Sequence, residues 1–312
     1  AAFPRAVAEV LGPAADPEAL LQASLLEGPG EVAHAEKHEV QNEALARLFA
    51  GPGAGCCVLE LGCGRAGLGT AVLERLPEAR CVLVDREPRR HKLEHRPESR
   101  GRRLLRLRMD IQDFDLAALL GAPLDPTALP GPAELQAAAL SVSSTGAAGL
   151  GPVERLGELW RAAAELQTPP WPPERVLACA KHLCGAGTDA ALRALRSCPP
   201  GPALGVCVAT CCHHRCDADS YPNLPFLRRL GLCGAPADFA ALASRAGWAL
   251  GGRGDTPRRR AGVMAKRILD LGRVAWLREE LGLSDARLVA YVGKDVTPEN
   301  IAILAGTDAD PA

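Results

Sequence analysis

Residues 56–61 read CCVLEL and run directly into GCGRAGLG, which sets Glu60 two positions ahead of a turn built on Gly62, Gly64 and Gly67. An apolar run this short, closed by turn residues, is a buried strand. Glycine is needed after it, because a Cβ there would block a ligand's approach to the backbone and because the turn demands an unusual φ. A helix over about Leu68 to Leu76 completes the unit. Strand, glycine turn and helix in that order open an α/β sheet.

The alternation continues along the chain. Strands are expected at Cys81 to Val84, Leu104 to Met109, Arg175 to Ala180 and Ala203 to Ala209, with a helix at about Thr188 to Leu195 between the last two. A helix from about Val32 to Phe49 precedes the first strand, and a long amphipathic helix occupies about Val263 to Leu281. Arg287 to Val292 and Asn300 to Leu304 read as terminal strands. The expected fold is α/β, a mostly parallel seven-stranded sheet with helices on both faces. Residues 1–30 read as a lead-in segment ahead of one domain over 31–308. Within it, residues 117–152 hold only Asp125 and Glu134 as charges among Ala, Gly, Pro and Ser, the composition of a low-complexity insertion. Helical spacing returns over Val153 to Leu166.

A glycine turn by itself fits a dinucleotide, a flavin or a purely structural bend, and the next two strand ends narrow the choice. Asp85 ends the second strand, where a carboxylate accepts both ribose hydroxyls of an adenosine ligand. Asp110 ends the third, placed to receive the adenine amino group. Glu60 suits the cationic methionine end of S-adenosylmethionine, whereas a dinucleotide would bring a pyrophosphate to the helix N-terminus with no acid above it. Glycine turn, acid and acid on successive strands therefore point to a class I Rossmann-like methyltransferase. Its S-adenosylmethionine site would comprise Glu60, Gly62, Gly64, Gly67, Asp85 and Asp110. The competing reading makes Glu60 a buried helix cap and the glycines a turn only.

The fourth strand runs into AKHLCGAGTD and the fifth into ATCCHHRCDADSY, so Lys181, His182 and the 211–215 segment emerge at the same edge of the sheet. Methyl transfer to a hydroxyl needs alignment and, usually, removal of a proton. A Lys with its pKa lowered by burial, or a neutral His, takes such a proton, which makes Lys181, His182 and His213 the candidate catalytic groups. Phosphate binding by Lys181 and helix capping by His182 are the competing roles. No metal is expected: Cys207, Cys211, Cys212, His213, His214 and Cys216 lack paired ligand spacing, and neighbours at 211–214 cannot all face one ion.

A formal net charge of −1 predicts no polyanionic partner, yet residues 86–108 carry nine Arg and one Lys against three Glu, a local +7. Arg89, Arg90 and Lys92 in that stretch, with Arg215, are the candidate phosphate contacts. An apolar fraction of 47% provides for a core, and no apolar run approaches the roughly 20 residues that span a bilayer. The twelve cysteines read as reduced thiols. With no signal-peptide pattern, an intracellular location, cytoplasm or nucleus, is expected.

Six separated blocks carry a more specific signal: EKHEVQNEAL (36–45), the glycine turn, LVDREPRRHKLEHR (83–96), RLRMDIQDFDL (106–116), KHLCGAGTDAALRAL (181–195) and VATCCHHRCDADSY (208–221). Together they resemble the eukaryotic tRNA ribose 2′-O-methyltransferases that act at position 4 of the acceptor stem. The resemblance implies a Rossmann-like fold, S-adenosylmethionine as donor and a cytidine or adenosine of tRNA as acceptor, with neither DNA nor membrane as partner. Two departures stand out. Ala66 occupies the place of that family's third glycine, with Gly67 one position on. The small Cys/His zinc modules that precede this domain in the family have no counterpart here, and the chain, opening on Ala1, reads as a fragment of something longer. A methyltransferase-like protein with another RNA or protein substrate, or a non-catalytic Rossmann-like RNA-binding scaffold, is the alternative. Replacing Arg89, Arg90 and Lys92 with Ser should weaken tRNA binding and flatten its salt dependence. An unchanged slope of affinity against log salt would reduce the stretch to a solvated face.

Overall fold

The computed structural model describes residues 1–12, 16–18, 21–22, 34–51, 53–87, 104–121, 172–250 and 255–307. Seven strands form one sheet among them: β1 Cys56–Leu61, β2 Arg80–Val84, β3 Leu104–Leu107, β4 Arg175–Cys184, β5 Ala203–Cys211, β6 Arg287–Ala290 and β7 Ile301–Ala305. Their order is β3-β2-β1-β4-β5-β7-β6. Strands β1 to β5 are parallel where they pair, and β7 runs antiparallel to both β5 and β6. The chain leaves β1 toward β2 and β3 on one side and returns to β4 on the other. The reversal opens a crevice beyond the carboxyl ends of β1 and β4, where ligands bind in sheets of this kind.

All six residues of β1 are buried, as a strand covered on both faces requires. Cys57, Leu59 and Leu61 point into one apolar layer and Cys56 and Val58 into the other. Helices α1 Ala2–Leu11, α2 His34–Ala46, α3 Gly67–Arg75, α4 Leu116–Leu120, α5 Ala186–Ala194, α6 Leu224–Arg229, α7 Pro236–Ala246 and α8 Pro257–Leu281 supply the cover. Helices α2 and α3 contribute Leu45, Leu68 and Val72 to the second layer, and the other six pack into the first.

Several expectations need correction. The lead-in segment contains α1, whose Phe3, Ala6, Val7 and Val10 are buried among the residues of the first layer. The supposed low-complexity insertion begins with α4, capped by the Asp115 carboxylate accepting from the Ala118 amide at 3.1 Å. Its remainder, and the helix expected at Val153 to Leu166, lie outside the described residues. Helix α8, read as amphipathic, starts at Pro257 behind a Thr256 cap, and every residue from Ala265 to Leu277 is buried. Lys266, Arg267, Asp270 and Arg273 are among them, and they survive there because they pair with one another and with neighbouring elements.

Arg273 is the centre of that pairing. Its Nε and Nη2 donate to the two carboxylate oxygens of Asp189, at 2.7 and 3.1 Å, and its Nη1 donates to Asp270 Oδ1 at 3.1 Å. Arg267 donates to Asp270 Oδ2 at 2.8 Å, and the His213 Nε2 meets Asp270 Oδ1 at 2.6 Å. Two arginines balance two aspartates, all of them buried. Arg273→Met should therefore cost about 3–5 kcal/mol of unfolding free energy, because it strands Asp189 without a partner. Arg196→Met, which removes an exposed pair with Glu280, should cost less than about 1 kcal/mol. Urea unfolding of both variants checks the contrast, and equal losses would contradict it.

Candidate active site

Beyond the strand ends lies a cleft of about 340 Å³ lined by Gly62, Asp85, Asp110, Leu183, Cys184 and Arg215, among others. Residues from the ends of β1, β2, β3 and β4 and from the turn after β5 thus meet at one place. Four of the residues singled out in the sequence, Gly62, Asp85, Asp110 and Arg215, line it.

Asp85 is held by its surroundings. Its Oδ2 accepts from the Gly64 amide at 2.6 Å and its Oδ1 from the Glu87 amide at 2.8 Å. A carboxylate has about four acceptor positions, so two remain for a ligand. Asp110 caps a 3₁₀ turn at Ile111–Asp113 through the Gln112 amide at 3.1 Å and takes an Arg86 guanidinium N–H at 3.3 Å. Arg86 is thus a cleft residue that the sequence reading grouped only with the basic stretch. Arg89, Arg90 and Lys92 lie outside the described residues. Arg215 is exposed and forms no ion pair among the described residues.

Gly64 has φ +51, and a Cβ built there meets nothing within 4 Å, so the turn presents bare backbone to open space. Ala66 also adopts a left-handed conformation, φ +65, immediately before α3. That geometry favours glycine, which explains why a glycine is expected at the position. Gly67 packs against Asn42 of α2, where a Cβ would lie 2.6 Å from the side-chain nitrogen.

Glu60 is buried and does not line the cleft. Its Oε2 accepts from the Gly69 amide at 2.8 Å, in the first turn of α3. The capping role left open by the sequence is therefore real, and a carboxylate is favourable there because the helix N-terminus is partly positive.

Lys181 and His182 do not line the cleft and gather instead against His38 of α2. The Lys181 ammonium donates to the His38 carbonyl at 3.3 Å. Burial lowers its pKa to about 8, against the opposing pull of the Glu60 carboxylate. His182 has φ +63, and its ring meets that of His38 edge-on, centroids 5.3 Å apart. Desolvation, with Lys181 and His38 adjacent, lowers the His182 pKa to about 4 and leaves the ring neutral at pH 7. His213 belongs elsewhere. It is buried against Asp270 in the core network and does not line the cleft, so its geometry is that of a structural residue.

Helix α2 supplies what sequence reasoning missed. It was read only as a helix, yet His38 faces Lys181 and His182, and Asn42 faces the glycine turn. The Asn42 Oδ1 and the Gln41 Oε1 are buried acceptors with no hydrogen-bond partner among the described residues. The signal was the polar run EKHEVQN in a helix next to the turn, with no charge pattern to pair it locally.

Comparison with known proteins decides the family. Residues 32–127, 164–260 and 253–306, most of the chain, match the family described as Methyltransferase TRM13. The chain belongs to that family. It is similar to the tRNA:m(4)X modification enzyme TRM13 of Vanderwaltozyma polyspora, with 35% identity over 156 residues that make up 42% of this chain and 36% of that protein. The protein of the same name from Schizosaccharomyces pombe is 32% identical over 149 residues, 42% of this chain and 39% of its own length. That from Saccharomyces cerevisiae is 27% identical over 182 residues, 45% and 38% of the two chains. The matched part thus covers less than two-fifths of each of these relatives. No helix among the described residues is long and apolar enough to cross a membrane.

Proposed function

We propose that residues 31–308 form a class I Rossmann-like domain that methylates the ribose 2′-hydroxyl of a cytidine or adenosine at position 4 of tRNA, with S-adenosylmethionine as donor. The observation that carries the proposal is Lys181, a lysine of lowered pKa at the carboxyl end of β4, beside a cleft lined by the β2 and β3 carboxylates. Membership of the TRM13 family supplies the reaction class, and the relatives' printed names supply tRNA modification.

The residues present fit the donor. The cleft lies at the lower end of the ~300–1,000 Å³ of small-molecule sites. Asp85 and Asp110 keep acceptor capacity for the ribose hydroxyls and the adenine amine. Near the glycine turn, the unpartnered Asn42 Oδ1 and the bare backbone at Gly64 suit the amino-acid end. In this reading Glu60 acts on that end indirectly, by fixing the first turn of α3 and facing Lys181. S-adenosylmethionine, when bound, supplies the sulfonium methyl group. Arg215 at the cleft mouth, with Arg89, Arg90 and Lys92 of the basic stretch, would hold the tRNA backbone by phosphate contacts.

Lys181 either takes the hydroxyl proton or orients the acceptor through an adjacent phosphate. His182 lies beside it, and His38 of α2 holds the ammonium through its carbonyl. Among the described residues, the charged and titratable groups facing Lys181 are Glu60, His38 and His182, and of these only Glu60 raises its pKa.

Two measurements test the reading. Asp85→Ala should weaken S-adenosylmethionine binding by roughly 1.5–3 kcal/mol, the scale of hydrogen bonds to a charged group. Calorimetric titration that finds unchanged affinity, with circular dichroism unchanged, would remove Asp85 from the donor site. For Lys181, a general base is active as the neutral amine, so the single-turnover rate should rise with pH through about 8 and then level. A phosphate-orienting role gives no such limb, and Lys181→Arg then retains partial activity. In both cases Lys181→Ala should slow transfer by about 10²–10⁴-fold with little change in donor affinity. Wild-type single-turnover rates in that variant would exclude Lys181 from the chemistry.

A further inference from the structure

The two strand ends that border the cleft bring together three cysteines from blocks separated in sequence. Cys184 is the last residue of β4 and Cys211 the last of β5, and they are Cα partners across the parallel ladder. Their Sγ atoms lie 3.8 Å apart. Cys212 follows at once, and the three sulfurs all lie within 4.8 Å of one another. Among the described residues this is the one group of three or more metal-ligating side chains in such proximity.

We infer that Cys184, Cys211 and Cys212 form a binding site for a soft metal ion of the zinc class, with three thiolate ligands and a fourth position left to solvent or substrate. Geometry carries the inference. A zinc–sulfur bond is about 2.3 Å, and the edge of a tetrahedron with that arm is about 3.8 Å. The Cys184–Cys211 separation equals that edge. Three sulfurs in one cluster exceed what a disulfide uses, and an all-sulfur donor set selects Zn(II) or Cu(I) over hard cations.

The backbone points the same way. Adjacent residues of an extended strand face opposite sides, so Cys211 and Cys212 would not share a ligand position if β5 simply continued. Cys212 instead takes φ +43, and the chain turns there. On β4 the register slips between Lys181 and Cys184, with His182 at φ +63 within the slip. Only three non-glycine residues with positive φ occur among the described residues, and of these Cys212 belongs to the cluster and His182 lies two residues before Cys184. Unfavourable conformations persist where the surroundings over-determine them, commonly at functional sites.

This differs from the ligand set that the run CCHHRC suggests. The fifth block contributes Cys184, the histidines do not join, and Cys216 lies instead against Arg273. Cys184 also lines the cleft, so the ion would sit in its wall and tie β4 to β5 next to Lys181 and His182. The site is independent of the proposed reaction and stands or falls on metal binding alone.

The test uses the full chain, reduced and stripped with chelator, then titrated with Co(II). One Co(II) per chain, with thiolate-to-cobalt charge-transfer absorption, the d–d bands of tetrahedral geometry and displacement by Zn(II), is the expected result. Cys184→Ser, Cys211→Ser and Cys212→Ser should each lose most of the charge-transfer intensity, while Cys198→Ser and Cys233→Ser retain it. The wild-type titration decides even if a variant fails to fold. No charge-transfer band in the reduced wild type would overturn the inference. So would a band that survives all three substitutions, or a Cys184–Cys211 disulfide whose reduction yields no Co(II) binding.

Discussion

The arrangement of the cleft rests on the Asp189–Arg273–Asp270 ion triad, which ties α5 and the turn after β5 to the buried helix α8. Asp189 is in the first turn of α5, directly after the cleft residues Cys184 to Gly187. His213, bonded to Asp270, stands between Cys212 and Arg215 in the turn after β5. Arg273 and Asp270 both come from α8, the buried helix of the first layer. A buried charge is costly by several kcal/mol unless paired. Any movement of α8 away from α5 would thus expose Asp189 to that cost, whereas Asp270 keeps Arg267 and Arg273 on its own helix. The triad thereby holds the segments that follow both cleft-bordering strands, and none of its three residues lines the cleft.

The same logic accounts for a close backbone approach at the cleft floor. Gly185 has φ +56, and a Cβ there would lie 2.3 Å from the Arg215 carbonyl oxygen. That contact brings the turn after β4 against the turn after β5, and no side chain larger than hydrogen fits between backbone and backbone. Asp189 and His213 hold these two turns through α8, and Gly185 lets them touch. Thr188 adds a local tie, its hydroxyl donating to the Leu183 carbonyl at 2.5 Å.

The sheet was legible in the sequence because its signals are local. CCVLEL followed by glycines can only be a covered strand entering a turn, and β1 has the expected bounds. Asp85 directly follows β2, Asp110 lies three residues past a β3 that ends at Leu107 rather than the expected Met109, and both reach the cleft. Helices α6 and α7 were missed for physical reasons. Helix α6 is only six residues long, and α7 carries Phe239 and Leu242 as its large apolar residues in an alanine-rich stretch, too few to show a period. Strand β4 continues four residues beyond its apolar part, through Lys181 to Cys184, because β5 pairs with it there despite the register slip. The partners of Lys181 were not legible at all. His38 lies 143 residues away in sequence, and Asp189 and Arg273 are 84 apart. No periodicity links residues at such separations.

Glu60 shows why a residue's role cannot be assigned from its spacing alone. Its carboxylate serves two positive partners, the Gly69 amide at the start of α3 and the field of the Lys181 ammonium. The first anchors it, so it cannot swing toward the cleft without uncapping a buried helix end. The second raises the pKa of Lys181, while burial acts in the opposite direction and wins, leaving a value near 8. Without the acid, desolvation would act unopposed and push the lysine's pKa further down, making it a weaker base and a weaker phosphate ligand. With the acid free of the helix, a close ion pair would hold the ammonium charged and useless as a base. A carboxylate fixed by the helix N-terminus and felt by Lys181 at a distance gives the intermediate case. With a pKa of about 8, the neutral amine that a base needs and the ammonium that a phosphate ligand needs are both accessible to Lys181.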